Sequence, residues 1–157
     1  MRAGIGFDIH PLVEGRRLVL GGVTLKFERG LQGHSDADVL VHAIIDALLG
    51  ASALGDIGKH FPNTNPEYKG ISSIALLERI RDILHDNGVE IENIDTTIIC
   101  EKARLAEHTE QMCRNIAKAL EINEGQVSVK ASTTNGLGLI AQGEGIAALA
   151  VALVKKA

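Results

Sequence analysis

The sequence predicts an α/β (α+β) domain: a mixed β-sheet with helices on one face and a small β-hairpin. Three observations predict it. Apolar positions alternate along separated short stretches, as in half-buried strands. In other stretches they recur every three or four residues, as in amphipathic helices. A Gly-Gly pair splits a further apolar stretch, as in a tight hairpin. A chain of 157 residues suits one domain, 1–157, able to bury a real core without staples.

Residues 3–10 alternate, with Ile5, Phe7 and Ile9 on one face and Gly6, Asp8 and His10 on the other, so they read as a half-buried strand. Residues 17–27 read as the hairpin, turning at Gly21-Gly22, and residues 29–38 as a polar connection. Residues 38–51 read as a helix, with Ser35 or Asp36 as N-cap and Asp38 adding negative charge to the first turn. Leu40, Ile44 and Leu48, flanked by Val41 and Ile45, form its apolar stripes; Asp38, His42 and Asp46 share the other face. Residues 52–70, rich in Gly, Pro and Asn, read as a long loop of the kind that carries function.

Residues 72–87 read as a second helix, stopped at Asn87-Gly88. A strand over 94–100, a helix over 105–121 striped by Met112, Ile116 and Leu120, and a strand over 126–132 follow. Residues 133–145 are Gly-rich. In the tail, Ala and Leu favour helix and Ile146, Val151 and Val154 favour strand. A closing strand is expected, because the helices already cover one face of the sheet.

Composition narrows the function. Hydrophobic residues make up 45% and charged residues 23%, which is ordinary globular usage. A net charge of −4, 3% aromatics and no Trp argue against nucleic acid as partner. No apolar run reaches the ~18 residues of a membrane span. The opening MRAGIGFDIH carries no signal or transit pattern, and Cys100 and Cys113 read as reduced core thiols, so a cytoplasmic protein is expected.

The sharpest constellation is Asp8-x-His10 with His42. Residues two apart on a strand point the same way, and a helix packed over that strand would bring His42 to them. One carboxylate and two imidazoles suit Zn²⁺ or a similar ion, and three protein ligands leave a position open, the catalytic pattern. Asp46, one turn from His42, is placed to orient its imidazole. From spacing alone the trio also fits a chance grouping of polar residues. Residues 132–145 read either as a phosphate cradle of freed N–H groups and hydroxyls or as a plain turn. Gly55-Asp56-Ile57-Gly58-Lys59 reads as a polyol site or a capped loop. His34 to Asp38 cap a helix and offer donors to an anion at its N-terminus.

At these residues the sequence resembles the 2-C-methyl-D-erythritol 2,4-cyclodiphosphate synthase family. The matching blocks are RAGIGFDIH at 2–10, Gly21-Gly22, HSDADVLVH at 34–42, DALLGASALGDIGKHF at 46–61, KASTT at 130–134 and GEGIA at 143–147. The resemblance implies a chorismate-mutase-like homotrimer with active sites between subunits. It implies a divalent-metal-dependent phosphorus–oxygen lyase of the non-mevalonate isoprenoid pathway. The implied substrate is 4-diphosphocytidyl-2-C-methyl-D-erythritol 2-phosphate, whose 2-phosphate attacks the β-phosphorus and releases CMP.

The resemblance also assigns residues. Zn²⁺ or a similar ion falls on Asp8, His10 and His42, with Asp46 behind them, and transition-state stabilisation on His34 and Thr133. Substrate contacts fall on Asp8, His10, His34 and Ser35, and on Asp56, Ile57, Gly58 and Phe61. Cytosine falls to segment 100–106, with Cys100, Leu105 and Ala106; Ser132, Thr133 and Thr134 complete the set. Asn135 stands where the family usually has the Glu that contacts a second ion, Mg²⁺ or Mn²⁺, so that ion should bind more weakly. Gln142 replaces an Arg and Ile5 a His of some members at the trimer axis, where isoprenoid diphosphates bind. Asn63 and Asn65 replace carboxylates, and Lys102 and Arg104 depart from the cytosine-segment pattern. A phosphohydrolase using metal-bound water and a non-catalytic binding protein are the rival readings.

Overall fold

In a computed structural model describing Met1–Ala157, strand β1 (Arg2–Val13) lies between the long closing strand and a two-residue edge strand. The hairpin β2 (Leu18–Leu20) and β3 (Val23–Leu25) and the edge strand β4 (Gly30–Leu31) come next. Helices α1 (Val39–Ser52), α2 (Ile57–His60) and α3 (Ser73–Asp86) lead into β5 (Val89–Ile99). Then come α4 (Thr109–Leu120), β6 (Val127–Ser132), α5 (Gly138–Ala141) and β7 (Gly145–Lys156).

The sheet order is β4-β1-β7-β5-β6, antiparallel except for the parallel β5–β6 pair, so it is mixed as expected. The tail is the closing strand, paired along both edges, with Ala148, Ala150 and Ala152 buried on one face. Helix α1 packs on β1 and β7, α3 packs on α1 and α4, and α4 packs on β6.

Gly4 and Gly6 explain how α1 comes so near. A Cβ at Gly4 would overlap the Ala47 carbonyl oxygen, and one at Gly6 the Ala43 carbonyl oxygen. The helix presents its own small residues, Ala43, Ala47 and Ala51, to this seam, and all three are buried.

This contact decides which face of β1 is the inner one. The apolar set Ile5, Phe7 and Ile9 is the exposed one, at 71%, 54% and 49% of full exposure. With Leu149 and Val151 of β7 it forms a bare apolar face opposite the helices. The Gly–Asp–His set faces inward, because Gly4 and Gly6 on that face leave room for α1.

Other boundaries shift for local reasons. The N-cap of α1 is Asp38, not Ser35 or Asp36: left-handed Ala37 (φ 58°) breaks the helix before it, and the Asp38 carboxylate accepts from Val41 N. The same carboxylate accepts from Gly21 N and Gly22 N at 3.0 and 2.8 Å, fastening the hairpin turn to α1. Burial, then the nearby Asp36 charge, pushes Asp38 up to about 6 against those N–H groups. Asp38 therefore does not share an outer face with His42 and Asp46. Strand β5 begins at Val89, earlier than expected, where Lys155 of β7 pairs with Glu90 and Glu92 across the ladder. The loop 52–70 contains α2 and a 3₁₀ turn at Pro66–Tyr68. No helix is long and apolar enough to cross a membrane.

The close seam makes a contrast testable by urea unfolding. Gly6→Ala should cost about 3 kcal/mol, because the added methyl meets backbone and not a movable side chain. Gly50→Ala, in α1 with open space around it, should stabilise by about 0.5–1 kcal/mol.

Candidate active site and metal centre

Strand β1 presents Asp8 and His10 toward α1, and α1 presents His42 back to them. His10 Nε2 and His42 Nδ1 lie 2.9 and 3.1 Å from the same oxygen, Asp8 Oδ2. The two rings meet edge to face with centroids 5.6 Å apart. One ligand atom from each residue falls within 4.8 Å of the others, a spacing that fits a single divalent ion. His10 Nδ1 lies 2.7 Å from the Gln32 carbonyl; an N–H donated there leaves the Nε2 lone pair for the ion. The donor set is therefore arranged for a metal, and no fourth protein ligand joins it.

Beside the trio is a cleft of about 240 Å³, lined also by His34, Ser35, Asp46, Ile57, Gly58 and Phe61. Arg16 holds its rim, donating to the Gly33 and Ser35 carbonyls at 3.0 and 2.8 Å. His34 Nε2 bonds the Asn65 carbonyl at 3.1 Å, tying the rim to the following loop. Phe61 stacks edge-on against Tyr68. A larger hollow of about 690 Å³ lies at the far ends of α3 and α4, but contains no grouped metal ligands.

Two assigned residues are placed differently from expectation. Asp46 does not orient His42; its carboxylate accepts from Ile57 N at 2.8 Å, and burial, then the charges of Asp56 and Asp8, raise its pKa. Asp56 does not line the cleft but caps α2, accepting from Lys59 N. His42 Nε2 is served instead by Ser73 Oγ at 2.8 Å and Ser35 Oγ at 3.1 Å. Sequence reading missed Ser73, whose Ser72-Ser73 context reads only as a helix start.

The remaining assigned residues form a second group, away from the cleft. Cys100 N bonds the Ser132 carbonyl across β5 and β6, and Thr134 N and Oγ1 both reach Glu101 at 3.1 and 3.3 Å. Thr133 Oγ1 accepts from Asn135 N, with Asn135 left-handed at φ 54°. Leu105 is buried and Ala106 opens a 3₁₀ turn. None of Cys100, Leu105, Ala106, Ser132, Thr133 and Thr134 lines the metal cleft within this one chain.

The fold and centre together define an α/β protein with an Asp–His–His group suited to a divalent ion, opening on a cleft. Comparison with known proteins narrows this. The YgbB family model matches residues 1–155, and the chain belongs to that family. A 2-C-methyl-D-erythritol 2,4-cyclodiphosphate synthase of Clostridium perfringens is 56% identical over 156 residues, covering 99% of this chain and 100% of its own. The bifunctional IspDF of Campylobacter jejuni superposes with a TM-score of 0.95 at 40% identity, covering 99% of this chain, which spans 42% of that longer one. The CDP complex of IspF from Plasmodium falciparum superposes with a TM-score of 0.86 at 32% identity, covering 99% of this chain and 96% of that one.

Burial alone would raise the Asp8 pKa, but the hydrogen bonds from His10 and His42 hold it at about 2. The Asp8 bond raises His10 above 6.5 despite burial. Without metal, the Asp8 contribution to stability is complete above its ordinary 3.8 and is lost as pH falls toward about 2. That of His10 is complete below 6.5 and is lost as pH rises through its elevated value. Urea unfolding of metal-free protein against pH should show both flanks, and Asp8→Asn should flatten both.

Proposed function

We propose that the protein converts 4-diphosphocytidyl-2-C-methyl-D-erythritol 2-phosphate to 2-C-methyl-D-erythritol 2,4-cyclodiphosphate and CMP, a step of the non-mevalonate isoprenoid pathway. The observation that carries this reading is the open-sided Asp8–His10–His42 centre beside a cleft, in a chain of this family. In the step, an oxygen of the 2-phosphate bonds to the β-phosphorus while the bond to the CMP oxygen breaks. CMP leaves with that electron pair, as in a phosphorus–oxygen lyase.

The nucleophile belongs to the substrate, so the protein has only to position groups and neutralise charge. Cys100 fits this reading: burial raises its pKa, keeping the thiol protonated and out of the chemistry. Asp8, His10 and His42 would hold Zn²⁺ or a similar ion, which supplies Lewis-acid polarisation of a phosphate oxygen when bound. His34 and Ser35, on the rim braced by Arg16, would hold the diphosphate beside it. Ile57, Gly58 and Phe61 shape the wall for the methylerythritol.

Thr133 and the cytosine segment require a neighbour. They lie in a separate group, so we read the active site as shared between subunits of a homotrimer. The bare face of Ile5, Phe7, Ile9, Leu149 and Val151 supports such packing, since a water-exposed apolar sheet face of this kind is normally covered. The CDP bound to the Plasmodium falciparum relative supports a cytidine-type ligand. Asn135, a neutral oxygen donor, supports only weak use of a second Mg²⁺ or Mn²⁺. With uncharged Gln142 and Ile5, this reading includes no diphosphate clamp at the trimer axis. The free thiols of Cys100 and Cys113 fit a cytoplasmic setting.

Two experiments test this. With the cytidyl substrate and Zn²⁺, ³¹P spectroscopy should show the cyclic diphosphate and CMP, and His42→Ala should lower turnover by about 10³-fold or more. Free phosphate as the product would instead mark a hydrolase. In sedimentation, Phe7→Glu should convert trimer to monomer and remove activity while the metal trio stays intact.

A further inference from the structure

Ser73 opens α3 directly behind the metal trio and is fully buried. Its Oγ lies 2.8 Å from His42 Nε2. Its hydroxyl also bonds Asp36 Oδ1. Asp36 takes two further donors, the Asp38 N–H on Oδ1 at 3.1 Å and the Ser73 N–H on Oδ2 at 3.0 Å.

The direction of each bond follows from counting protons. A carboxylate that gathers three donors only accepts. A serine has one proton, and here it goes to Asp36. Toward His42, Ser73 Oγ can then only accept, so Nε2 must carry the hydrogen. With Nε2 protonated, Nδ1, the atom 3.1 Å from Asp8 Oδ2, is the nitrogen left to give its lone pair to an ion that displaces the proton shared with Asp8. Ser35 Oγ, 3.1 Å from the same nitrogen, accepts from the Ala37 N–H but has no carboxylate to take its own proton, so it does not decide the tautomer.

We propose that Asp36 and Ser73 are positioning residues: the chain Asp36–Ser73–His42 fixes the His42 tautomer and ring orientation, presenting Nδ1 to the divalent ion. The usual device is a carboxylate bonded directly to a metal-ligating histidine. Here a serine hydroxyl stands between them, and the same carboxylate anchors the first turn of α3. Ligand orientation and helix placement are thereby joined. This proposal rests on the metal reading above.

The test is Zn²⁺ titration of the metal-free full chain against a chromophoric chelator, with circular dichroism to confirm folding. Ser73→Ala should weaken Zn²⁺ by about 10–100-fold. The isosteric Asp36→Asn should weaken it in the same direction by a smaller factor, and stands in should Ser73→Ala not fold. In ¹⁵N spectra of the zinc-loaded wild type, His42 should be protonated at Nε2 and ligated through Nδ1. In the same spectra of zinc-loaded Ser73→Ala, the His42 Nε2–H resonance should shift and exchange faster with water; a purely structural role for Ser73 would leave it unchanged. Zn²⁺ affinity within twofold of wild type in both variants, or ligation through His42 Nε2, overturns the proposal while leaving the metal centre standing. A wild-type protein that binds no Zn²⁺ overturns both.

Discussion

The contact on which the rest depends is the near-touching of α1 and β1 at Gly4 and Gly6. Strand and helix backbones meet there with only the Ala43, Ala47 and Ala51 methyls from one side and nothing from the other. That distance lets a helical imidazole share one carboxylate oxygen with a strand imidazole. It also explains why the bulky residues of β1 point away from the helices: a Phe or Ile on the inner face would wedge the layers apart. Asp38 then fastens the N-terminal end of α1 to the hairpin, so the helix that carries His42 is held along one side and at one end.

Much of this was legible in the sequence. The strand period placed Asp8 and His10 together, and the helix period turned His42 and Asp46 to a common side. The mixed sheet and the closing strand follow from β-branched residues and from the number of helices preceding it. The inner face of β1 was not legible, because alternation reveals two faces without saying which one is dry. The cap of α1 was missed because Asp36, Asp38 and Ser35 are equally suitable by type, and only the left-handed turn at Ala37 selects Asp38. Ser73 was invisible because its partner lies 31 positions away, with nothing periodic linking them.

The site's polar groups are arranged so that each one's direction is set by another. Gln32 holds His10, Arg16 holds the Gly33–Ser35 rim, and Asn65 holds His34. No buried side-chain nitrogen or oxygen is left without a partner. Such satisfied networks suit a reaction in which the substrate brings its own nucleophile and the protein contributes alignment.

The separation of the assigned residues into two groups on one chain bears on inheritance. In the homotrimer proposed above, with each site assembled from two copies, a lesion in the His42 group and a lesion in the Thr133 group would damage different halves. Chains carrying one lesion each, mixed in the same particle, would regenerate some intact sites where an undamaged half meets an undamaged half. Two defective alleles could then complement each other, while either alone would leave every site damaged.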